Sequence, residues 1–461
     1  MNRSDKPRSE TAQPVSPPRL AVCQALLRIE REGGYADRLI DQELQSGRLT
    51  GPDRALFSEL LFGVLRRRGT LDHLLAQLLS RPLQQLDAAV LAILRSGLYQ
   101  LTALDRVPPH AAINEAVNLA RQLAPAAAGL VNAVLRSYLR QADTLTFPDR
   151  SVDPAAAIAA RHSVPLWLAG QWIGQLGVEE AACLAEECCT PPGLTLRVNS
   201  LSTSREALLE LLEQNGITAA PGRWSPLAVC LAGRHRIVEL PGFQEGLFTV
   251  QDEASQVAGL MLGAQPGESV WDACAAPGGK ATLIAQQMNN SGELLASDIS
   301  PAKLRMIQEA VARLGIGCVT SAVINLHKAE TLPEGLFDRV LLDAPCSGLG
   351  VIRRNPEAKW RLTPADLSRL AAAQRGMLRQ TASRLKPGGT LLYSTCSTSR
   401  EENEEVLADF LSEQRDFVLE NLHDSFPAWD GLITPEGMMR AWPHRHGMDG
   451  FFAARLRRQP L

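Results

Sequence analysis

"VWDACAAPGGKAT" spans Val270–Thr282, and its reading decides the fold. It opens with apolar, β-prone residues, passes through small ones, and closes on residues that start a helix. That is a strand, a tight turn and a helix. Outward from it the same alternation continues. "ESVWDA" and "ELLASD" read as strands, "KATLIAQQM" and "PAKLRMIQEAVARLG" as helices. "GCVTSAVI" and "FDRVLLD" follow as strands, then "PADLSRLAAAQRGMLRQTASRL" as a long helix and "GTLLYST" as a strand. "REENEEVLADFLSEQ" reads as a helix, and "GFFAARL" as a last strand inside the sheet. Repeated βα units imply a parallel sheet covered on both faces. Residues 263–461 therefore read as a Rossmann-like α/β domain whose ligand sits at the carboxyl ends of the strands.

The turn itself points to a nucleoside-type cofactor. Gly278 and Gly279 permit a tight turn, small neighbours let a ligand approach the backbone, and the opening helix amides suit a polar group. It is neither a Walker A loop nor a GxGxxG loop. Asp298 closes the next strand, 19 residues after Gly279, a spacing that suits hydrogen bonds to two ribose hydroxyls. The plainer alternative is a tight βα turn with an incidental aspartate.

Two later turns each carry one thiol. "LLDAPCSGLG" (Leu341–Gly350) holds Cys346, and "LLYSTCSTSR" (Leu391–Arg400) holds Cys396. Both lie just past strand ends, so both should face one crevice. Nine cysteines are scattered through the chain, at 23, 183, 188, 189, 230, 274, 318, 346 and 396, with no CxxC and no Cys/His cluster. That argues against zinc and against a disulfide framework, and for a reducing cytoplasm. His444 and His446 lack a third ligand nearby, so no metal is expected. There is no apolar run of about 18 residues and no apolar signal core, which predicts neither a membrane span nor secretion.

The rest of the 461 residues implies a multidomain chain. Residues 1–18 read as a disordered tail. From 19 to 142 the stretches "LAVCQALLRIE", "ALFSELLFGVLRRR", "TLDHLLAQLL", "DAAVLAILRSGLYQL", "AAINEAVNLARQL" and "AAGLVNAVLRSYLRQ" repeat apolar residues at helical spacing, an all-α bundle. Residues 143–262 read as a small α+β linker domain, with "LTLRVNS", "AVCLAG", "RIVEL" and "LFTVQD" as its strands. The formal net charge of −3 argues weakly against a nucleic-acid binder, but Arg19–Arg140 has 15 Arg against 11 acidic residues. "LRRRG" (65–69) and "GVIRRNPEAKW" (350–360) are candidates for phosphate contact or base stacking, or else a solvated charge run and a surface loop with a packed Trp. No exposed apolar seam is evident, which predicts a monomer.

"DACAAPGGK", "DAPCSG" and "STCS", in this order and spacing, resemble the RNA cytosine-C5 methyltransferases that use S-adenosylmethionine (SAM). "RVNS" (197–200) and "QDEASQ" (251–256) resemble the segment before that catalytic domain, and "VPPHAAINEAVNLAR" with "LVNAVLR" resembles the NusB-type RNA-binding fold. The chain is thereby similar, over nearly its whole length, to the RsmB (Sun/Fmu) family of bacterial 16S rRNA cytosine-C5 methyltransferases. The resemblance implies an all-α NusB-like bundle, a small α+β linker domain and a SAM-dependent methyltransferase domain. It also implies 16S ribosomal RNA as partner, with cytosine 967 in the usual rRNA numbering as target.

Cytosine C5 is a poor nucleophile towards a methyl sulfonium. A thiolate added at C6 makes the ring an enamine, and a base must later remove H5 so that the thiol is eliminated. One thiol suffices for addition; a second can assist release. The chemistry alone leaves open which is which. By the resemblance, Cys396 is the nucleophile and Cys346 helps product release. Asp343 is expected at the cytosine N3/N4 edge. The resemblance assigns the cofactor to Cys274, Ala275, Ala276, Pro277, Gly278, Gly279, Lys280, Asp298 and Asp343. Asn325 is the best match where the family has an Asp for the adenine, and its amide oxygen can still accept from the adenine amino group. Two other readings compete. An adenine amino methyltransferase would need a second Pro and an aromatic where Cys346 stands, and would not need Cys396. A non-catalytic assembly factor would be expected to have lost a thiol or the glycine loop.

Overall fold

The computed structural model describes residues 15–460. Contacts divide them into two compact units. One runs to Thr190 and takes in the separate segment Asn355–Arg361; the other comprises Pro191–Arg354 and the chain from Leu362 onward. The division at Thr190 falls inside the span expected as one small α+β domain. Of the tail expected over 1–18, residues 1–14 lie outside the described part, while Pro17 and Pro18 already open a helix.

The first unit is helical: α1 (Pro17–Glu32), α2 (Ala36–Gln45), α3 (Pro52–Leu78), α4 (Ala88–Ala103), α5 (Pro109–Leu123), α6 (Ala128–Gln141), α7 (Pro154–His162), α8 (Leu166–Leu176) and α9 (Val178–Glu187). Proline opens α1, α3, α5 and α7, where its missing N–H costs nothing. Asp87 caps α4 by accepting from Ala89 N at 2.8 Å. α4 is apolar nearly all round and buried from Ala89 to Gln100, as a central helix must be. Its one buried cation, Arg95, is paired twice with Asp72, at 2.7 and 2.8 Å. The two periodic stretches read across 55–79 form the single helix α3. Gly69 between them costs only about 1 kcal/mol relative to alanine, too little to break a helix that packs along its length.

Of the two readings of this stretch, phosphate contact or a loop with a packed Trp, Asn355–Arg361 has the packing of the second. Lys359 is 0% exposed and donates to Arg66 O at 3.2 Å. Glu357 accepts from Ala36 N at 2.9 Å, and the Arg68 guanidinium lies over the Trp360 ring at 5.5 Å. These side chains pack against helices instead of presenting charge to phosphate.

The second unit begins with a small antiparallel sheet: β1 (Leu194–Val198), β2 (Ala219–Pro221), β3 (Ala228–Leu231) and β4 (Phe248–Val250), in the order β2-β3-β1-β4. Helix α10 (Arg205–Gln214) packs Leu208 and Leu212 with Leu196, Val198 and Phe248. "RIVEL" is a 3₁₀ turn at Ile237–Glu239 and not a strand; Val238 is exposed and Pro241 follows. The strand in its place, β2, is too short and too weakly patterned to read.

Helix α11 (Glu253–Leu260) leads into the large sheet: β5 (Ser269–Asp272), α12 (Gly279–Gln287), β6 (Glu293–Asp298), α13 (Pro301–Arg313), β7 (Val319–Val323), β8 (Phe337–Asp343), α14 (Pro364–Ala382), β9 (Leu385–Thr395), α15 (Glu404–Glu413), β10 (Phe417–Leu419), β11 (Met439–Ala441) and β12 (Phe451–Arg458). The order is β10-β12-β9-β8-β5-β6-β7, with β11 on β12. Strands β5 to β9 pair in parallel, while β12 runs antiparallel to β9 and to β10. The sheet is thus mixed, where parallel pairing alone was expected. Its central strands are buried on both faces, whereas the edge strand β7 is not. Along β8, Leu341 joins the cluster with Val257, Ile284 and Ile307, whereas Val340 and Leu342 join Trp271, Leu378 and Phe410 on the other side.

Candidate active site

Strands β8 and β9 are parallel neighbours, with Asp343 opposite Ser394 at their carboxyl ends. Cys346 and Cys396 leave those ends within three residues, and their Sγ atoms stand 3.3 Å apart. The two turns are stitched by backbone. Gly350 N donates to Cys396 O and Gly450 N donates to Gly350 O, each at 2.9 Å. A Cβ at Gly350 would lie 2.0 Å from Gly450 O and 2.8 Å from Cys396 O, so only glycine allows this approach. The Cys346 thiol is pushed well above a thiol's ordinary value by its hydrogen bond with Cys396, by burial, and by the charges of Cys396 and Glu402.

Asp343 sits beside this pair. Its Oδ1 accepts from Ser394 Oγ at 2.8 Å and its Oδ2 from Lys280 Nζ at 2.7 Å. The ammonium of Lys280, expected at the cofactor, also lies 4.6 Å over the Phe451 ring. Lys280 is buried in the first turn of α12, and it joins the cofactor loop to the thiol side of the crevice.

Next to them is a cavity of about 150 Å³. Of the residues expected at the cofactor, Cys274, Ala275, Ala276, Pro277, Gly279, Lys280 and Asp343 line it; Gly278, Asp298 and Asn325 do not. Gly278 instead shapes the loop, at φ +106° with Ile307 Cα 3.2 Å from where a Cβ would be. Asp298 ends β6 and accepts from Ser300 N at 2.9 Å. The Asn325 amide oxygen accepts from His327 N at 3.0 Å, so it is engaged in its own turn. Cys274 is a half-buried thiol whose titration is pushed up chiefly by loss of solvent around it.

Three residues here escaped the sequence reading. Asp272, the last residue of β5, is fully buried in the wall of the cavity, and neither carboxyl oxygen reaches a hydrogen-bond partner. Burial first, and then the charge of Asp343, raise it to about 8. Arg197, from β1, is also fully buried. It donates to Gly279 O, to Gln251 Oε1 at 2.5 Å and to Thr282 Oγ1 at 2.8 Å, bracing the start of α12. "RVNS" and "QDEASQ" marked this neighbourhood without showing what it does. Glu402 is the third, buried between the thiol turns. Arg353 and Arg354, read as phosphate contacts, are paired with Asp449 at 3.4 and 2.5 Å, and Arg354 also with Asp252 at 2.9 Å.

The order and sense of the large sheet's strands, with ligand-facing turns at the ends of β5, β8 and β9, define a Rossmann-like methyltransferase domain. The family of 16S rRNA methyltransferases RsmB/F matches residues 259–457, the NusB family matches 16–140, and an RsmF/B-like ferredoxin-like domain matches 164–238. Ribosomal RNA small subunit methyltransferase B of Salmonella paratyphi A is 36% identical, covering 95% of this chain and 98% of its own. A Bacillus subtilis relative is 37% identical, covering 95% and 97%. The crystal structure of PH0851 superposes with a TM-score of 0.80 at 28% identity, covering 97% of this chain and all of that one. The chain belongs to the RsmB family of methyltransferases. Among the described residues no helix is long and apolar enough to cross a membrane.

Proposed function

We propose that this protein transfers a methyl group from SAM to C5 of a cytosine in 16S rRNA, cytosine 967, through a covalent bond between Cys396 and C6. The observation that carries the reading is the pair of thiols 3.3 Å apart at the ends of β8 and β9. The names of the matched relatives supply the rRNA.

The residues around the cavity fit SAM. Asp272 offers two buried oxygens that have no partner, suited to an ammonium or to a sulfonium's positive field. The turn Cys274–Gly279 offers close backbone approach, Asp298 would serve the ribose, and Asn325, whose amide oxygen already accepts from His327 N, would serve the adenine through that oxygen's second lone pair. When bound, SAM supplies a methyl group made electrophilic by the positive sulfur.

Cys396 Sγ forms the bond to C6, and the electron pair moves to C5. Asp343, held by Lys280 and Ser394, faces the N3/N4 edge and favours protonation of the ring as the adduct forms. C5 then takes the methyl, and the electron pair of the broken sulfur–methyl bond stays on the sulfur and neutralises it. Loss of H5 to a base returns the electron pair to the ring, and the C6–S bond breaks. Cys346 assists that release: its hydrogen bond with Cys396, then burial and the charges of Cys396 and Glu402, hold its proton in place. The protein would act as a cytoplasmic monomer with no resident metal.

The test is a pair of substitutions, assayed with SAM and unmodified 16S RNA. Cys396→Ser should give neither methylation nor a covalent protein–RNA adduct. Cys346→Ser should accumulate an adduct that survives denaturing gels. Exchanged phenotypes would make Cys346 the nucleophile; full activity in both would end the thiol mechanism in favour of another methyl acceptor.

A further inference from the structure

We propose that Glu402 is a positioning residue: its buried carboxylate ties the turn after Cys346 to the turn after Cys396 and thereby sets the separation of the two thiols. The role rests on the two-thiol reading above.

Glu402 is 0% exposed. Its Oε1 accepts from Ser347 N at 2.8 Å and from Gln374 Nε2 at 3.1 Å. Its Oε2 accepts from Ser347 Oγ and from Ser397 Oγ, each at 2.5 Å. Ser347 is the residue after Cys346, and Ser397 the residue after Cys396. Gln374, from α14, also donates to Pro345 O at 2.9 Å, on the other side of Cys346. Each cysteine is therefore bracketed by bonds that end at or beside one carboxylate.

The backbone that carries this carboxylate is itself held by three hydrogen bonds, at Glu402 and at its neighbour Asn403. Tyr393 Oη, from within β9, donates to Glu402 O at 2.6 Å. Asn403, the next residue, accepts from Thr395 Oγ1 at 2.6 Å and donates to Ser397 O at 3.0 Å. Burying a carboxylate is costly, and an apolar side chain of similar size would fill the same space without that cost. What an apolar side chain would lack is an acceptor shared by two turns. The four donors make the carboxylate sustainable, and three of them come from Ser347 and Ser397, the residues that follow the two thiols.

The experiment uses the full-length protein with Glu402→Ala and Glu402→Gln. Glutamine keeps one acceptor oxygen for Ser347 N and Gln374, and its amide can donate to the serine hydroxyls, so kcat should stay within about 5-fold. In the alanine variant kcat should fall roughly 100-fold, with KM for SAM and for RNA within about 3-fold, the size expected for a misplacement of about 1 Å. Phenylarsine oxide, which bridges two close thiols, reports the spacing without any RNA. Wild type should bind one equivalent that Cys346→Ser lacks, Glu402→Gln should keep it, and Glu402→Ala should lose it. If the alanine variant does not fold, Ser397→Ala removes one tether alone and should also lose that equivalent. The proposal is overturned if Glu402→Ala keeps wild-type kcat or keeps the arsenical equivalent, or if glutamine fails as badly as alanine. Loss of the equivalent in a protein whose wild type methylates no cytosine would sink the proposed reaction and leave the tether standing.

Discussion

Replacing Gly350 with alanine forces the Cys396 turn to move. The new Cβ would lie 2.0 Å from Gly450 O and 2.8 Å from Cys396 O, both backbone atoms that cannot swing aside like a side chain. Bringing the first contact out to 3.0 Å requires about 1 Å of displacement, shared between the Cys346 loop and the segment before β12. A shift of that size at reacting groups costs roughly 100-fold in rate, or about 2.7 kcal/mol of barrier. The accompanying overpacking should destabilise the fold by about 1–3 kcal/mol. Methyl incorporation from labelled SAM into 16S RNA gives kcat, calorimetry gives SAM affinity, and a thermal melt monitors folding. The expected outcome is a fall in kcat with SAM affinity unchanged, because the cavity beside Asp272 does not touch Gly350. A variant that melts normally and retains kcat within 3-fold of wild type would refute the claim that the two thiol turns are held to sub-ångström tolerance.

Two further substitutions probe the cofactor side. Arg197→Met leaves Gly279 O and Gln251 without their buried donor; it should cost roughly 3 kcal/mol of stability and weaken SAM binding about 10-fold, read by chemical denaturation and calorimetry, and an unchanged denaturation midpoint would contradict the brace. Asp272 is raised from its ordinary value to about 8 in the fold. The unfolded chain ionises it from about pH 4, so the folded protein loses stability as pH climbs from about 4 to about 8 and levels off above that. Asp272→Asn removes this loss. The free variant should melt higher than wild type, by a margin that grows across that window, while binding SAM more weakly; a margin independent of pH would show that Asp272 does not titrate as its surroundings demand.

The large sheet was legible because its central strands, β5, β8 and β9, are largely buried and apolar, and each ends in a turn rich in small residues. The thiol pair was legible for the same reason: Cys346 and Cys396 follow two such runs, and parallel neighbours bring their ends together. What escaped were partners far apart in sequence. Glu402 stands in "REENEE", which looks like a solvated helix start, yet α15 begins only at Glu404 and the residues before it turn inward. Lys359 and Arg354 carry charges that suit phosphate; only the fold shows that Arg66 O and Asp449 already claim them. β12 was legible as a strand, but its antiparallel sense was not, because side-chain pattern carries no direction.

The helical unit recruits Asn355–Arg361 from a stretch that begins just past the Cys346 turn and returns to α14. The chain therefore crosses between the two units three times, and no single cut separates them. A fragment starting at Pro191 would keep Glu357 and Lys359 but lose Ala36 N and Arg66 O, leaving two charges stripped of their partners. For the same reason the helical unit is not an interchangeable module. A helical bundle taken from another protein could replace it by recombination only if it brought its own seat for those seven residues.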